Sequence, residues 1–393
     1  MAIRKGLLAV AIVAIVIIAA VAVYAFQGHN RKTVPATIPG TYLVAPKVIA
    51  NTLGGSWSEN FYLSGGSTNP AGLVGSYAEL FNYTANATIA SNYTGFLSGS
   101  SEMSIAGYSQ NKSGAHLFSA IAFLPNVTVA FQIYINFTAK LESNSSIVFS
   151  AGKINGSPYV VANITHNGNE TQLIVANYGR YVILFVYSGK TGVSTGSFVT
   201  LVKDEMAILG NGLVVTYPSR LVTTAQLNST VGIGFNSEIY AVANITGLRS
   251  LIGSLESNIT TSVNSSSVSS AETQYLENIT SASIALFGNQ LSKEIAFSSF
   301  VTFNASSYPA FIYQALDLDL GSNANYTHQS GTIAGNQYFY ISGNLSANST
   351  AKISLIFSLD GKSLLVDGVI GAGAIPSSDM VALVTAQLTD MSS

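Results

Sequence analysis

An α+β architecture is predicted for this chain: an N-terminal transmembrane helix, then two related antiparallel-sheet domains covered by helices on one side. Three observations predict it. Short runs rich in Val, Ile, Tyr and Phe alternate with turn signals, the pattern of meandering strands. These runs recur in the same order in two halves of the chain. Each half closes on apolar residues at helical spacing, Phe198, Leu201, Val202 and Met206 in one and Met380, Leu383, Val384 and Leu388 in the other.

Taken in order, residues 1–6 read as a cytoplasmic tail and 7–26 as a transmembrane helix or signal anchor. Leu7 to Phe26 holds no charge, Gly or Pro, and at 1.5 Å per residue spans about 30 Å, the hydrocarbon thickness of a bilayer. Cleavage after Ala25 is an alternative, since Val23-Tyr24-Ala25 carries small residues where signal peptidase needs them. Residues 27–47, with Pro35, Pro39 and Pro46, read as a tether. Ectodomain unit 1 is expected over 48–209 and unit 2 over 210–393.

Within the units, Ser104-Ile105-Ala106-Gly107-Tyr108 and Ser283-Ile284-Ala285-Leu286-Phe287 read as matching strands. The runs Lys112 to Phe123 and Leu291 to Phe300 read as helices after them. Phe131-Gln132-Ile133-Tyr134 and Phe311-Ile312-Tyr313-Gln314 then read as strands. Gly152 to Gly156 and Gly331 to Gly335 each open a strand holding Tyr159 or Tyr338. Two alternating strands follow, joined by Tyr178-Gly179-Arg180 and by Asp360-Gly361-Lys362, the second a hairpin signal. Each unit thus reads β-α-β-β-β-β-α. Upstream, 70–82 and 247–282 look helical; in the latter, Leu248, Leu251, Ile252, Leu255, Ile259 and Val263 form one stripe.

Sidedness comes from the asparagines. Asn-x-Ser/Thr occurs at Asn82, Asn86, Asn92, Asn111, Asn126, Asn136, Asn144, Asn155, Asn163, Asn169, Asn228, Asn244, Asn258, Asn264, Asn278, Asn304, Asn325, Asn344 and Asn348. The 82 Ser and Thr among 393 residues would give about six such triplets by chance, so the excess points to N-glycosylation outside the cell. The basic residues flanking the apolar span nearly tie, and the sequons set the orientation: N-terminus inside, ectodomain outside. No sequon falls in 170–227 or beyond 348, a zone that in both halves covers the last hairpin and the closing helix. Those elements are expected to be central in the sheet or to face the other domain or a partner.

Charge is scarce. Only 9% of residues are charged, against about 25% in ordinary soluble proteins, which excludes nucleic-acid binding through a basic surface. A hydrophobic content of 48% excludes wholesale disorder. The absence of Cys removes disulfides and thiolate chemistry together. So few ionisable groups would leave little self-repulsion at pH 2–3, which points to an acidic external milieu.

The chemical motifs are weak. Gly192-Val193-Ser194-Thr195-Gly196 fits G-x-S-x-G, and Asp317 or Asp319 and then His328 follow in hydrolase order. The flanking strands read as antiparallel, however, and the second unit's Gly371-Ala372-Gly373 lacks the Ser, so a connector is the better reading. Asp317-Leu318-Asp319, read as one face of a strand with Asn323 and Asn325 following, could offer oxygens to calcium, without EF-hand spacing. His29, His116, His166 and His328 are not spaced as zinc ligands. Gly189-Lys190-Thr191 and Gly361-Lys362-Ser363 end like a P-loop without its leading Gly. One Trp, Trp57, argues against a stacked sugar cleft. No catalytic residue, metal site or cofactor is assigned.

Arg4-Lys5-Gly6-Leu7-Leu8 resembles the class III, prepilin-like leader of archaeal type IV pilins and some archaeal binding proteins, which implies cleavage after Gly6. Bacterial pilins carry Glu at the fifth mature position, where this chain has Ala11. The composition and dense sequons resemble archaeal cell-surface glycoproteins. The lack of a chemical motif, the dense sequons and the duplication together point to a non-enzymatic structural or contact protein of the cell envelope, held in the lipid bilayer through 7–26, with envelope proteins or itself as partner. A solute-binding ectodomain with a cleft between its units, or a pilin-like filament subunit, are the alternative expectations.

Overall fold

The computed structural model describes residues 43–66, 100, 102–142, 147–166, 169–210, 220–244, 278–289, 292–345 and 350–392. The chain divides into two compact units, one N-terminal and one C-terminal. In the N-terminal unit the order is α1 (Pro46–Leu53), β1 (Trp57–Gly66), β2 (Glu102–Gln110), β3 (His116–Phe123), α2 (Val127–Glu142), β4 (Val148–Ile154), β5 (Ser157–His166), β6 (Asn169–Tyr178), β7 (Tyr181–Gly189) and α3 (Thr195–Gly210). The C-terminal unit repeats it with α4 (Thr224–Thr230), β8 (Phe235–Asn244), β9 (Ile279–Asn289), β10 (Glu294–Phe303), α5 (Ser307–Gly321), β11 (Tyr326–Ile333), β12 (Asn336–Asn344), β13 (Lys352–Asp360), β14 (Ser363–Gly371) and α6 (Ser377–Ser392).

Each unit builds a seven-stranded antiparallel sheet, ordered β1-β2-β3-β7-β6-β5-β4 in one and β8-β9-β10-β14-β13-β12-β11 in the other. The duplication extends to register. Trp57 pairs with Gln110 as Phe235 pairs with Asn289, and Ser119 pairs with Phe185 as Ser298 pairs with Asp367. Both first strands carry a bulge at the same place, between Glu59 and Phe61 and between Ser237 and Ile239. Residues 43–66 and 221–244 therefore match without a gap, beginning Leu43-Val44 and Leu221-Val222. The sequence reading began the repeat only at Ser104, because few identities survive in this segment besides that dipeptide.

Helices cover both faces of each sheet, not one. Side chains alternate along a strand, so neighbours Phe339 and Tyr340 mark opposite faces. Phe339 stacks on Phe357 at 4.4 Å and meets Tyr313 of α5 edge-on at 5.1 Å. Tyr340 instead donates to the Ile375 carbonyl ahead of α6, and the Ile375 N–H donates to Ser354 Oγ at 2.9 Å. This double cover explains the central strands: Leu117 to Ala122 and Val182 to Tyr187 are buried on both faces and show no period of two.

That lost period also explains which elements the sequence misassigned. The runs read as helices at Lys112–Phe123 and Leu291–Phe300 are largely β3 and β10. The strands read at Phe131–Tyr134 and Phe311–Gln314 lie in α2 and α5. Their β-branched and aromatic residues favour strands locally, but Ala130, Tyr134, Phe137 and Leu141 are buried at helical spacing, and so are Pro309, Ile312, Tyr313 and Leu316. The helix read over 70–82 lies outside the described residues, as does 247–277; residues 279–282 belong to β9. Unit 1 also begins before residue 48, since Leu43 and Val44 are buried and α1 starts at Pro46.

The closing hairpins and helices agree with expectation. Gly179 and Gly361 take positive φ (58° and 57°) in the two-residue turns before β7 and β14. The sequon-free zone holds β6 and β7, each hydrogen-bonded on both sides, so these strands are central in their sheet. Among the described residues no helix is long and apolar enough to cross a membrane. The apolar segment 7–26 lies outside them.

Candidate functional site

The polar atoms that stand out lie beneath the closing helices. In the N-terminal unit, α3 places Glu205 fully out of solvent, where Oε2 accepts the Val44 N–H at 3.0 Å. Tyr108 on β2, also fully buried, donates its hydroxyl to the Val44 carbonyl at 2.9 Å. Val44, at the entry to α1, is therefore held through both its backbone groups by one acid and one phenol. Glu205 Oε1 has no hydrogen-bond partner among the described residues. Burial drives the Glu205 pKa well above the ordinary carboxylate range. The Val44 hydrogen bond opposes that rise and the neighbouring Asp204 charge adds to it.

The same sheet face carries a second group. Tyr62 lies within 3.5 Å of Ser104, hydroxyl to hydroxyl, and burial pushes its phenol up. Glu59 beside the bulge and Glu102 at the start of β2 are both raised to about 7 by burial.

The C-terminal unit solves the same place differently. Gln387 stands where Glu205 does and donates to the Arg220 carbonyl at 2.8 Å, while the Val222 N–H donates to Ser298 Oγ at 3.1 Å. The buried acid has moved into the sheet: Asp367 occupies the position of Phe185 and is wholly inaccessible. Desolvation raises it to about 7. The Ser298 hydroxyl across the strand pair opposes the rise, yet neither Asp367 oxygen reaches hydrogen-bond geometry. These carboxyls sit in packed cores at 0% exposure. Glu205, by accepting the Val44 N–H, can lock a chain segment in place; no solute can meet either acid.

The sequence reading missed all four acids. Only Asp367 carried a local signal, a lone carboxylate closing the apolar run Leu364-Leu365-Val366; Glu205 stands beside Lys203 and Asp204, and Glu59 and Glu102 follow serines.

The residues the sequence did single out fall elsewhere. Ser194 opens α3 as a helix cap: its Oγ accepts the Ser197 N–H at 3.1 Å and lies 3.0 Å from Ser197 Oγ. Asp317 and Asp319 lie on α5, where positions two apart diverge, so the expected shared strand face for calcium is not formed. Asp317 instead meets His328 of β11 at 2.6 Å. His116 sits at the start of β3 with its pKa lowered by burial. His29 lies outside the described residues, and the His166 side chain does too. Among the described residues no cluster of three metal-ligating side chains forms. Gly189 ends β7 and Gly361 lies in the β13–β14 turn. Trp57 is buried and donates to the Gly54 carbonyl at 2.8 Å, a core residue.

No protein-family model matches the chain, and no curated protein does. Solved structures overlap it loosely. The extracellular domain of PknH from Mycobacterium tuberculosis is 12% identical, with 46% of this chain and 100% of that one covered at a TM-score of 0.32. Crystal form I of TP0453 is 11% identical, with 88% and 98% covered at a TM-score of 0.35. Likeness this distant says nothing about activity. Fold and site together define a duplicated, cysteine-free α+β protein in which buried polar side chains of the closing helix and the sheet hold the chain entering each unit, Glu205 and Tyr108 in one and Gln387 and Ser298 in the other.

Proposed function

We propose that the chain is a membrane-anchored, heavily N-glycosylated structural or contact protein of an archaeal cell envelope, without enzymatic activity, working in an acidic milieu. The observation that carries this is where its asparagines lie. Of the sequon asparagines with described side chains, Asn111, Asn126, Asn136, Asn155, Asn304, Asn325 and Asn344 are exposed and Asn163, Asn228, Asn244 and Asn278 half-buried. None is buried. Among the described residues the buried asparagines, Asn60, Asn177 and Asn289, all stand outside sequons. A glycan needs its acceptor at the surface, and this partition supports the glycosylation reading.

Asn228 is the poorest acceptor, because its side chain donates to the Phe235 carbonyl and accepts the Phe235 N–H. The raised carboxyls support the acidic setting, since a protein of this kind keeps its buried acids neutral there. Intact mass and glycopeptide mapping of the native protein from its own membranes test the reading. Hexose-bearing peptides at the exposed sequons, Asn228 empty and an N-terminus upstream of residue 7 are expected. An unmodified mass of 41.0 kDa would overturn it.

A further inference from the structure

The outer strand of the N-terminal sheet is β4, bonded to β5 on one side only. Asn155 and Gly156, both at positive φ (50° and 87°), join it to β5 with Ile154 and Ser157 as the closing pair. In such a two-residue turn the closing pair exchanges both its hydrogen bonds. Stepping back by twos, Ile154, Gly152, Ser150 and Val148 aim their backbone groups at β5. Lys153, Ala151 and Phe149 therefore aim theirs outward, six groups in all.

Natural edges are usually blunted by charge, Pro or a bulge, and the duplication shows which of the two equivalent edges is blunted. On β11 the position of Phe149 is His328, which meets Asp317 at 2.6 Å; in the N-terminal unit those places hold Phe149 and Thr138, which form no such pair of ionisable groups. Val148 is 71% exposed and Phe149 44%. The strand has no Pro and one charge, Lys153.

We propose that a second copy of this chain adds its own β4 to this edge, antiparallel and centred on Ala151, so that the two sheets continue across a two-fold axis. The strand is self-complementary in that register. Ala151 meets itself, and Phe149 meets the second copy's Lys153, so all six outward groups of each copy find partners. Val148 covers the second copy's Ile154 on the opposite face, and the small Ser150 and Gly152 face each other at the crossing. The single charge lies opposite an aromatic ring, not opposite its own copy, which like-charge repulsion would penalise. Such an interface is isologous and closes at two copies. This gives the envelope reading its self-association surface and rests on that reading only for its biological purpose.

Because the chain has no cysteine, one introduced thiol reports the contact without background. In the full-length protein in detergent, Ala151→Cys places two thiols on Cα atoms about 5.5 Å apart, within disulfide reach. Copper–phenanthroline oxidation is expected to give a dimer on a non-reducing gel, while Ser330→Cys at the equivalent place on β11 stays monomeric. Phe149→Lys, which sets Lys against Lys, is expected to weaken dimerisation of the cysteine-free protein at least about tenfold by light scattering. Its circular dichroism should be unchanged. A monomeric Ala151→Cys, equal crosslinking at both edges, or a Phe149→Lys protein that dimerises like the parent would overturn the proposal. Glycan mapping is unaffected by any of these results, so the two readings fail separately.

Discussion

The two units share topology, register and bulge, yet their interiors have exchanged polar parts. The N-terminal unit carries its fully buried acid on the closing helix (Glu205) and an aromatic in the sheet below (Phe185). The C-terminal unit carries an amide on the helix (Gln387) and the acid in the sheet (Asp367). The same exchange occurs in bulk. Phe61 lies over Gly107 in one unit, whereas in the other Ile239 stands opposite Leu286. The fold is thus fixed by strand order, turns and total filling, and tolerates different chemistry in its core provided partners change together.

The largest expected effect concerns the acids. Asp367 keeps its proton in the folded chain up to about pH 7, while the unfolded chain loses it near pH 4. Between those values the folded state binds more protons, so stability is complete in acid and declines as pH rises through that window. For this group the decline is on the order of 4 kcal/mol. Asp367→Asn should flatten it in urea unfolding measured from pH 3 to 8, and Glu205→Gln, which borrows the residue of the other unit, should flatten more. A pH slope unchanged in the double variant would assign the dependence to Glu59 and Glu102, the remaining raised acids.

Next comes bulk. A side chain added at Gly107 would strike the Phe61 ring, so Gly107→Leu should cost about 3 kcal/mol. Pairing it with Phe61→Ile, the C-terminal combination, should recover most of that in a double-mutant cycle. Tyr108→Phe, which installs the residue found at Phe287, should cost about 1–2 kcal/mol by stranding the Val44 carbonyl. The smallest effect is expected at the C-terminal edge. Asp317→Ala should lose no more than about 1 kcal/mol, and that loss should vanish in high salt, because His328 and Asp317 are both partly exposed.

What the sequence disclosed follows the same division. Hairpins were legible because Gly179 and Gly361 need a positive φ that few residues supply. The closing helices were legible because one face of each meets the sheet and the other meets water. Helices α2 and α5 were hidden in four-residue windows of Phe, Ile and Tyr, and only the longer spacing from Ala130 to Leu141 shows them. Strands β3 and β10 were hidden by burial on both faces. The roles of Glu205 and Asp367 were invisible for a deeper reason: they depend on Val44 and Ser298, residues distant in sequence that nothing local announces.

The hold on Val44 has a mechanical meaning. The chain enters the N-terminal unit at a residue whose N–H is held by the last helix and whose carbonyl is held by the second strand. A pull on the upstream chain is therefore borne first by α3, some 160 residues away in sequence, and not by the first strand alone. Load applied at the entry point passes through Glu205 and Tyr108 into the closing helix and the sheet, so it closes a loop through the domain.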